Sequence, residues 1–258
     1  NILKALSKYD SDRQYTAYGD GTGGTERGAI HILMLDTDGT VKSSTKIANN
    51  TNGGPSLANL DRFGSSVALL GDLDGDGVVD LAVGATGDGG RGAVHVLLLD
   101  SDGTAKSTTK IAHQLNGGPT LTIDSYFGGS AASLGDLDGD GVTDLAVGAY
   151  GDNTGGESRG AVHVFLLNTN GTVKSSKKIA NNTNGGPAFA NGDYFGFSLA
   201  SVGDLDGDGV GDLVVGAYGD DTGGEDRGAL HVLLLNDDGP VKSSRKVASG
   251  MNGGPSLA

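Results

Sequence analysis

The sequence contains no cysteine. Disulfides and thiolate metal centres are therefore excluded, and the chain must be steadied by something else. It also lacks tryptophan and is only 5% aromatic, which leaves little for the stacking platform a sugar-binding surface needs. No apolar run approaches the ~18 residues of a membrane-crossing helix. Residues Asn1 to Asp10 have neither the basic start nor the long apolar core of a secretory leader. The chain opens on Asn1 rather than Met, as expected of a processed form or of a piece of something longer. Basic residues are scarce: 18 Lys and Arg stand against 32 Asp and Glu, and the net charge of −14 would repel nucleic-acid phosphates. Glycine is abundant, at 48 residues, but without the three-residue period of collagen.

What is present is a repeat. Phe63-Gly64 recurs as Phe127-Gly128 and Phe195-Gly196, and Gly-Asp-Leu-Asp-Gly-Asp-Gly-Val starts at Gly71, Gly135 and Gly203. Asn-Gly-Gly-Pro starts at Asn52, Asn116, Asn184 and Asn252, and His31, His95, His163 and His231 hold one position in four copies. The units are therefore 1–62, 63–126, 127–194 and 195–258. The first is degenerate. Its Tyr18-Gly19-Asp20 matches Tyr150-Gly151-Asp152, but it has no Phe-Gly pair and no Asp-rich run.

Each full unit reads as four short strands, because runs of Val, Leu and Ala are bounded by Gly, Asp and Asn. In the third unit they fall near 129–134, 144–149, 161–167 and 173–180. Val162, Val164 and Leu166 alternate with Ala161, His163 and Phe165, the period of two of a pleated strand. Asp102-Gly103 and Asn170-Gly171 suit hairpin turns with positive φ at both positions. No unit offers ten glycine-free residues with a helical period. The class is all-β, and four-stranded units at 64–68-residue spacing suggest the blades of a β-propeller. A solenoid, the main competitor, uses shorter repeats.

The Asp-rich runs carry the chemistry. Asp72, Asp74, Asp76 and Asp80 place carboxylates at positions 1, 3, 5 and 9 of a loop, with Gly77 allowing a sharp turn and the Val78 carbonyl adding an oxygen. Calcium takes six to eight such hard oxygens. The pattern repeats as Asp136, Asp138, Asp140, Val142 and Asp144, and as Asp204, Asp206, Asp208, Val210 and Asp212. An EF-hand is excluded, since position 12 is Val83, Val147 or Val215 rather than Glu. Magnesium keeps its waters and uses few carboxylates, and zinc has no Cys or clustered His to bind. An acidic turn that merely solvates a hairpin is the bland alternative. Four carboxylates in nine residues repel at about 1 kcal/mol per pair even in water, which favours a bound cation.

Phe-Gly, Asp-Gly-Asp-Gly and Val-Gly-Ala, taken together from Phe63 to Ala85, Phe127 to Ala149 and Phe195 to Ala217, resemble the FG-GAP repeat of integrin α-subunit propellers and related bacterial proteins. The resemblance implies calcium in the hairpin between the first two strands of each full blade, on the residues named above. It also implies a ring of commonly seven blades. Four are visible here, so the ring would close with four, with further blades of a longer chain, or by pairing two chains. Thr86, Tyr150 and Tyr218 stand where the family has Pro.

No catalytic constellation emerges. A residue repeated in four strands, as the His is, reads as a packed or surface strand position. His113 stands in a linker without an evident partner, and Arg27, Arg91, Arg159 and Arg227 read as partners of nearby loop carboxylates. The expected function is an extracellular, calcium-stabilised binding or adhesion module for a protein or glycan ligand. A lectin or accessory propeller of a polysaccharide-active enzyme is one alternative, and a structural repeat of a surface or filament protein is another. Calcium affinity is expected at about 10⁻⁴–10⁻³ M, the range of extracellular modules, and that expectation places the protein outside the cell.

Overall fold

The computed structural model describes residues 2–6 and 19–256, with side chains from residue 19 onward. Tyr18, half of the Tyr-Gly-Asp match in the first unit, lies outside the described residues. Every strand pairs antiparallel with its neighbours within a sheet. The first sheet contains β1 (Ile2–Leu6), β2 (Ala29–Leu35) and β3 (Val41–Ala48). The second contains β4 (Phe63–Gly71), β5 (Asp80–Ala85), β6 (Ala93–Leu99) and β7 (Ala105–Ala112). The third contains β8 (Phe127–Gly135), β9 (Asp144–Ala149), β10 (Ala161–Leu167) and β11 (Val173–Ala180). The fourth contains β12 (Phe195–Gly203), β13 (Asp212–Ala217), β14 (Ala229–Leu235) and β15 (Val241–Ala248). Each strand is bonded to the next in sequence, so the sheets are up-and-down blades of a β-propeller.

The register explains why the first unit is degenerate. Leu6 pairs with His31 as Val83 pairs with His95, so β1 takes the place of a blade's second strand. Leu3, paired with Met34, then falls at the register position of Asp80. This blade carries no acidic residue where the others carry Asp80, Asp144 and Asp212.

The hairpin turns differ from expectation. Gly103 and Gly171 have positive φ, but Asp102 and Asn170 do not. Gly171 N–H donates to the Asn168 carbonyl (2.9 Å), and Asn168 N–H to the Thr172 carbonyl (2.8 Å). This is a three-residue loop, a type I turn closed by a left-handed glycine, and only the glycine needs positive φ.

Alternate faces of each blade pack into different cores. Val94, Val96 and Leu98 of β6 point towards the third blade, while Leu97 and Leu99 point towards the first. β10 divides in the same way, Val162, Val164 and Leu166 towards the fourth blade and Phe165 and Leu167 towards the second. Among the described residues the four blades thus make three apolar cores. The fourth blade's far face is open: Leu230 is 47% exposed where Val94 and Val162 are 0%, and Leu205 is 59% exposed where Leu73 and Leu137 are 3%. The four blades form an arc, not a closed ring of four.

Phe-Gly is the clip between blades. Phe127 N–H donates to the Arg91 carbonyl (3.0 Å), and Phe127 forms a parallel bridge with Gly92 of the preceding blade. Gly128 has φ +87°, and a Cβ there would collide with the Ala93 carbonyl. Its own carbonyl accepts the Ser66 hydroxyl (2.8 Å), and the Gly196 carbonyl accepts that of Ser130 (2.7 Å). Each Phe ring is buried against the repeated histidine of its own blade. Phe63–His95, Phe127–His163 and Phe195–His231 meet edge-on at 5.5, 5.5 and 5.6 Å between centroids.

Candidate metal centres

The Asp-rich loops join the first two strands of the three complete blades. Asp72 shapes its loop by accepting N–H groups from Gly75 (2.8 Å), Asp76 (2.9 Å) and Gly77 (2.8 Å). Asp76 accepts from Val78 (2.8 Å). The loop thereby curls around its own carboxylates, as alternate acids about a tight glycine turn must.

Asp80, at the head of β5, is fully buried. Its two oxygens accept N–H groups from Leu73 (2.9 Å) and Leu99 (2.9 Å), tying the loop to the third strand. Asp144 does the same with Leu137 (2.8 Å) and Leu167 (3.0 Å), and Asp212 with Leu205 (2.8 Å) and Leu235 (3.0 Å). Burial pushes the Asp144 carboxyl up to about 6 and raises Asp80 also. A cation beside these acids would oppose that shift.

In each loop the structure gathers three of the expected residues: Asp72, Asp74 and Asp80; Asp136, Asp138 and Asp144; and Asp204, Asp206 and Asp212. One oxygen from each member lies within 4.8 Å of the others in its group. Asp76, Asp140 and Asp208 stand outside these groups. The donor set is all oxygen, as calcium requires. Asp74 Oδ1 is buried without a hydrogen-bond partner, an orphaned acceptor that a cation would satisfy. The oxygens of Asp80 each hold one N–H and retain a lone pair. The residues therefore fit a calcium ion.

Sequence reasoning missed a lysine in each site. Lys106 pairs with Asp74 (2.7 Å) and Asp76. Lys174 pairs with Asp138 and Asp140 (both 2.6 Å), and Lys242 with Asp206 (2.6 Å) and Asp208. Hydrogen bonds to the two carboxylates raise the pKa of each of these lysines. The signal was available as a repeated Lys at the second residue of every fourth strand. Its meaning needed the fold, which places the third-to-fourth hairpin at the same end of the blade as the Asp-rich loop.

At the other end, a second lysine of the same strand pairs with an acid of the loop between the second and third strands. The pairs are Lys46–Asp20 (2.7 Å), Lys110–Asp88, Lys178–Asp152 (2.7 Å) and Lys246–Asp220. Among the described residues, the expected arginine–carboxylate pairs do not form. Arg27 and Arg159 Nε donate to Asn59 and Asn191 Oδ1 (3.0 and 2.9 Å), Arg91 to the Leu121 carbonyl (3.1 Å), and Arg227 Nη1 to Ser249 Oγ (3.4 Å). His113 does have a partner, since its Nδ1 accepts Leu121 N–H (2.9 Å). Asn49 and Asn181 brace their linkers in the same way, against Leu57 and Phe189. His95, His163 and His231 are buried strand residues, and desolvation lowers their pKa values to about 3, 3 and 4.

This end also carries an aromatic row that composition concealed. Tyr126 stacks on Tyr150 (4.9 Å) and Tyr194 on Tyr218 (4.8 Å). Phe197 bridges the two pairs edge-on, at 5.3 Å from Tyr150 and 4.5 Å from Tyr218.

The blades and their loops define a class, a β-propeller repeat with an Asp-rich loop in each complete blade, and comparison with known proteins supplies the family. The FG-GAP repeat model matches residues 63–97, 127–165 and 195–233, one match in each complete blade. Human integrin alpha-IIb is 34% identical over 233 residues, 83% of this chain and 19% of its own length. Integrin alpha-5 of Xenopus laevis is 36% identical over 173 residues, 62% of this chain and 15% of its own. Integrin alpha-V of Gallus gallus is 36% identical over 170 residues, again 62% and 15%. The chain belongs to the integrin-like FG-GAP repeat family, and it spans about a fifth or less of the length of these relatives.

Proposed function

We propose that residues 1–258 are one FG-GAP propeller domain, an extracellular adhesion module that binds three calcium ions and carries out no reaction of its own. The ions sit in the loops headed by Asp72, Asp136 and Asp204, and hold each first hairpin to the blade's third strand. The carrying observation is the threefold oxygen set with the buried, partnerless Asp74 Oδ1. Similarity to integrin α chains supports the adhesive role and the location outside the cell. Because the metal loops occupy one end of the blades, the ligand docks at the other, on the linkers and the loops between second and third strands.

Cell attachment to a surface coated with the chain tests this reading. Attachment should occur in calcium and be lost in chelator. Absence of attachment in both would refute the adhesive role. The aromatic row favours a second reading, a glycan ligand stacked on Tyr218 and Phe197, which are 49% and 46% exposed. A glycan array separates the two, because a protein-specific module gives no hit and a lectin does.

A further inference from the structure

A lysine reaches each Asp-rich loop without belonging to its oxygen group. Lys106, Lys174 and Lys242 leave the second position of the fourth strand and reach across their blade to two carboxylates of the Asp-rich loop. In each case one of the two, Asp74, Asp138 or Asp206, is a member of the oxygen group that fits calcium. The other, Asp76, Asp140 or Asp208, lies outside it. The first blade supplies an internal control. Lys42 holds the same strand position, but Leu3 falls where the other blades carry the buried acid, and among the described residues Lys42 is exposed and makes no ion pair. The lysine's posture therefore follows the acids, not the strand.

We propose that these three lysines are tethered counter-ions which occupy the loops in place of calcium and must be displaced when calcium binds. This rests on the calcium reading of the loops. Lys106 holds Asp74 Oδ2 while Oδ1 is the oxygen left for a cation, and an ammonium and a divalent ion brought that close together repel strongly. Calcium entry therefore breaks two ion pairs per site and returns a lysine to solvent. Two consequences follow. The lysine weakens calcium affinity, setting it for a calcium-rich medium. It also neutralises part of the loop's charge when calcium is scarce, so that the blade keeps its hairpin.

Calcium titration calorimetry on the 258-residue chain tests this, with Lys106→Met, Lys174→Met and Lys242→Met combined and Lys42→Met as the control. Met keeps the length of the stem and removes the charge. The triple variant should bind the same three ions about three- to tenfold more tightly, and should melt lower than the parent in chelator. Lys42→Met should match the parent in both. A triple variant that binds three ions with unchanged affinity overturns the counter-ion role and leaves the calcium reading standing. A parent chain that binds no calcium overturns both. The single variant Lys174→Met, read at one site of three, gives the same answer if the triple variant does not fold.

Discussion

Replacing Asp144 by Ala should destabilise this protein by about 2–6 kcal/mol, in chelator as well as in calcium. The substitution strips the partners from two buried N–H groups, those of Leu137 and Leu167, at about 1–3 kcal/mol each. In a chain of this length that is a fall of about 5–20 °C in melting midpoint. The chelator arm matters because it separates the structural bonds from any ion. Asp144→Asn keeps the volume and one acceptor oxygen, so it should cost about half as much. Thermal melts at pH 7.5 check both variants. An Asp144→Ala midpoint equal to the parent's in chelator would show that the buried carboxylate does not hold the loop.

Acid should also unfold the protein, through three buried histidines. His95, His163 and His231 are buried and neutral, with pKa values of about 3, 3 and 4, whereas a free histidine has about 6.5. Below pH 6.5 the unfolded chain binds protons that the folded chain refuses, so stability is lost as pH falls. At pH 5 the loss is about 2 kcal/mol per histidine. The charges that bear on them are Lys110 for His95, Lys178 and Asp152 for His163, and Lys246 and Asp220 for His231. The raised carboxyls of Asp61 and Asp193 act in the opposite sense, which moderates the loss. Denaturant melts at pH 7.5 and pH 5 in saturating calcium measure the net effect. Replacing the three histidines by Leu should flatten the dependence, and a variant with the parent's acid sensitivity would assign it elsewhere.

Much of the fold was legible because each repeat states it again. In the third unit, the strands observed at β9, β10 and β11 coincide with the expected spans, and β8 extends the expected first strand by two residues at its start and one at its end. Phe and Gly at 127 and 128 are unremarkable in composition, yet their recurrence marked the start of a blade. The Asp-rich loops between first and second strands were legible for the same reason, since Asp at alternate positions has a local meaning. What the sequence could not display was anything joining residues from distant strands. Lys174 reaches Asp138 across 36 residues, and Phe197 meets Tyr150 of the preceding blade. The 5% aromatic content argued against a platform, but the fold collects five of those rings on one end of two blades. Nor could spacing reveal that the last acid of each loop is a buried bracket for two backbone N–H groups.

Calcium bound in these loops should stiffen the blades. Scanning calorimetry of chelator-treated chain, alone and with 10 mM calcium, tests it most directly. Three sites in the expected affinity range would each add about 1.4–2.7 kcal/mol. The melting midpoint should therefore rise by about 10 °C or more with calcium and fall back when chelator is restored. A melting curve that calcium leaves unchanged would contradict the account.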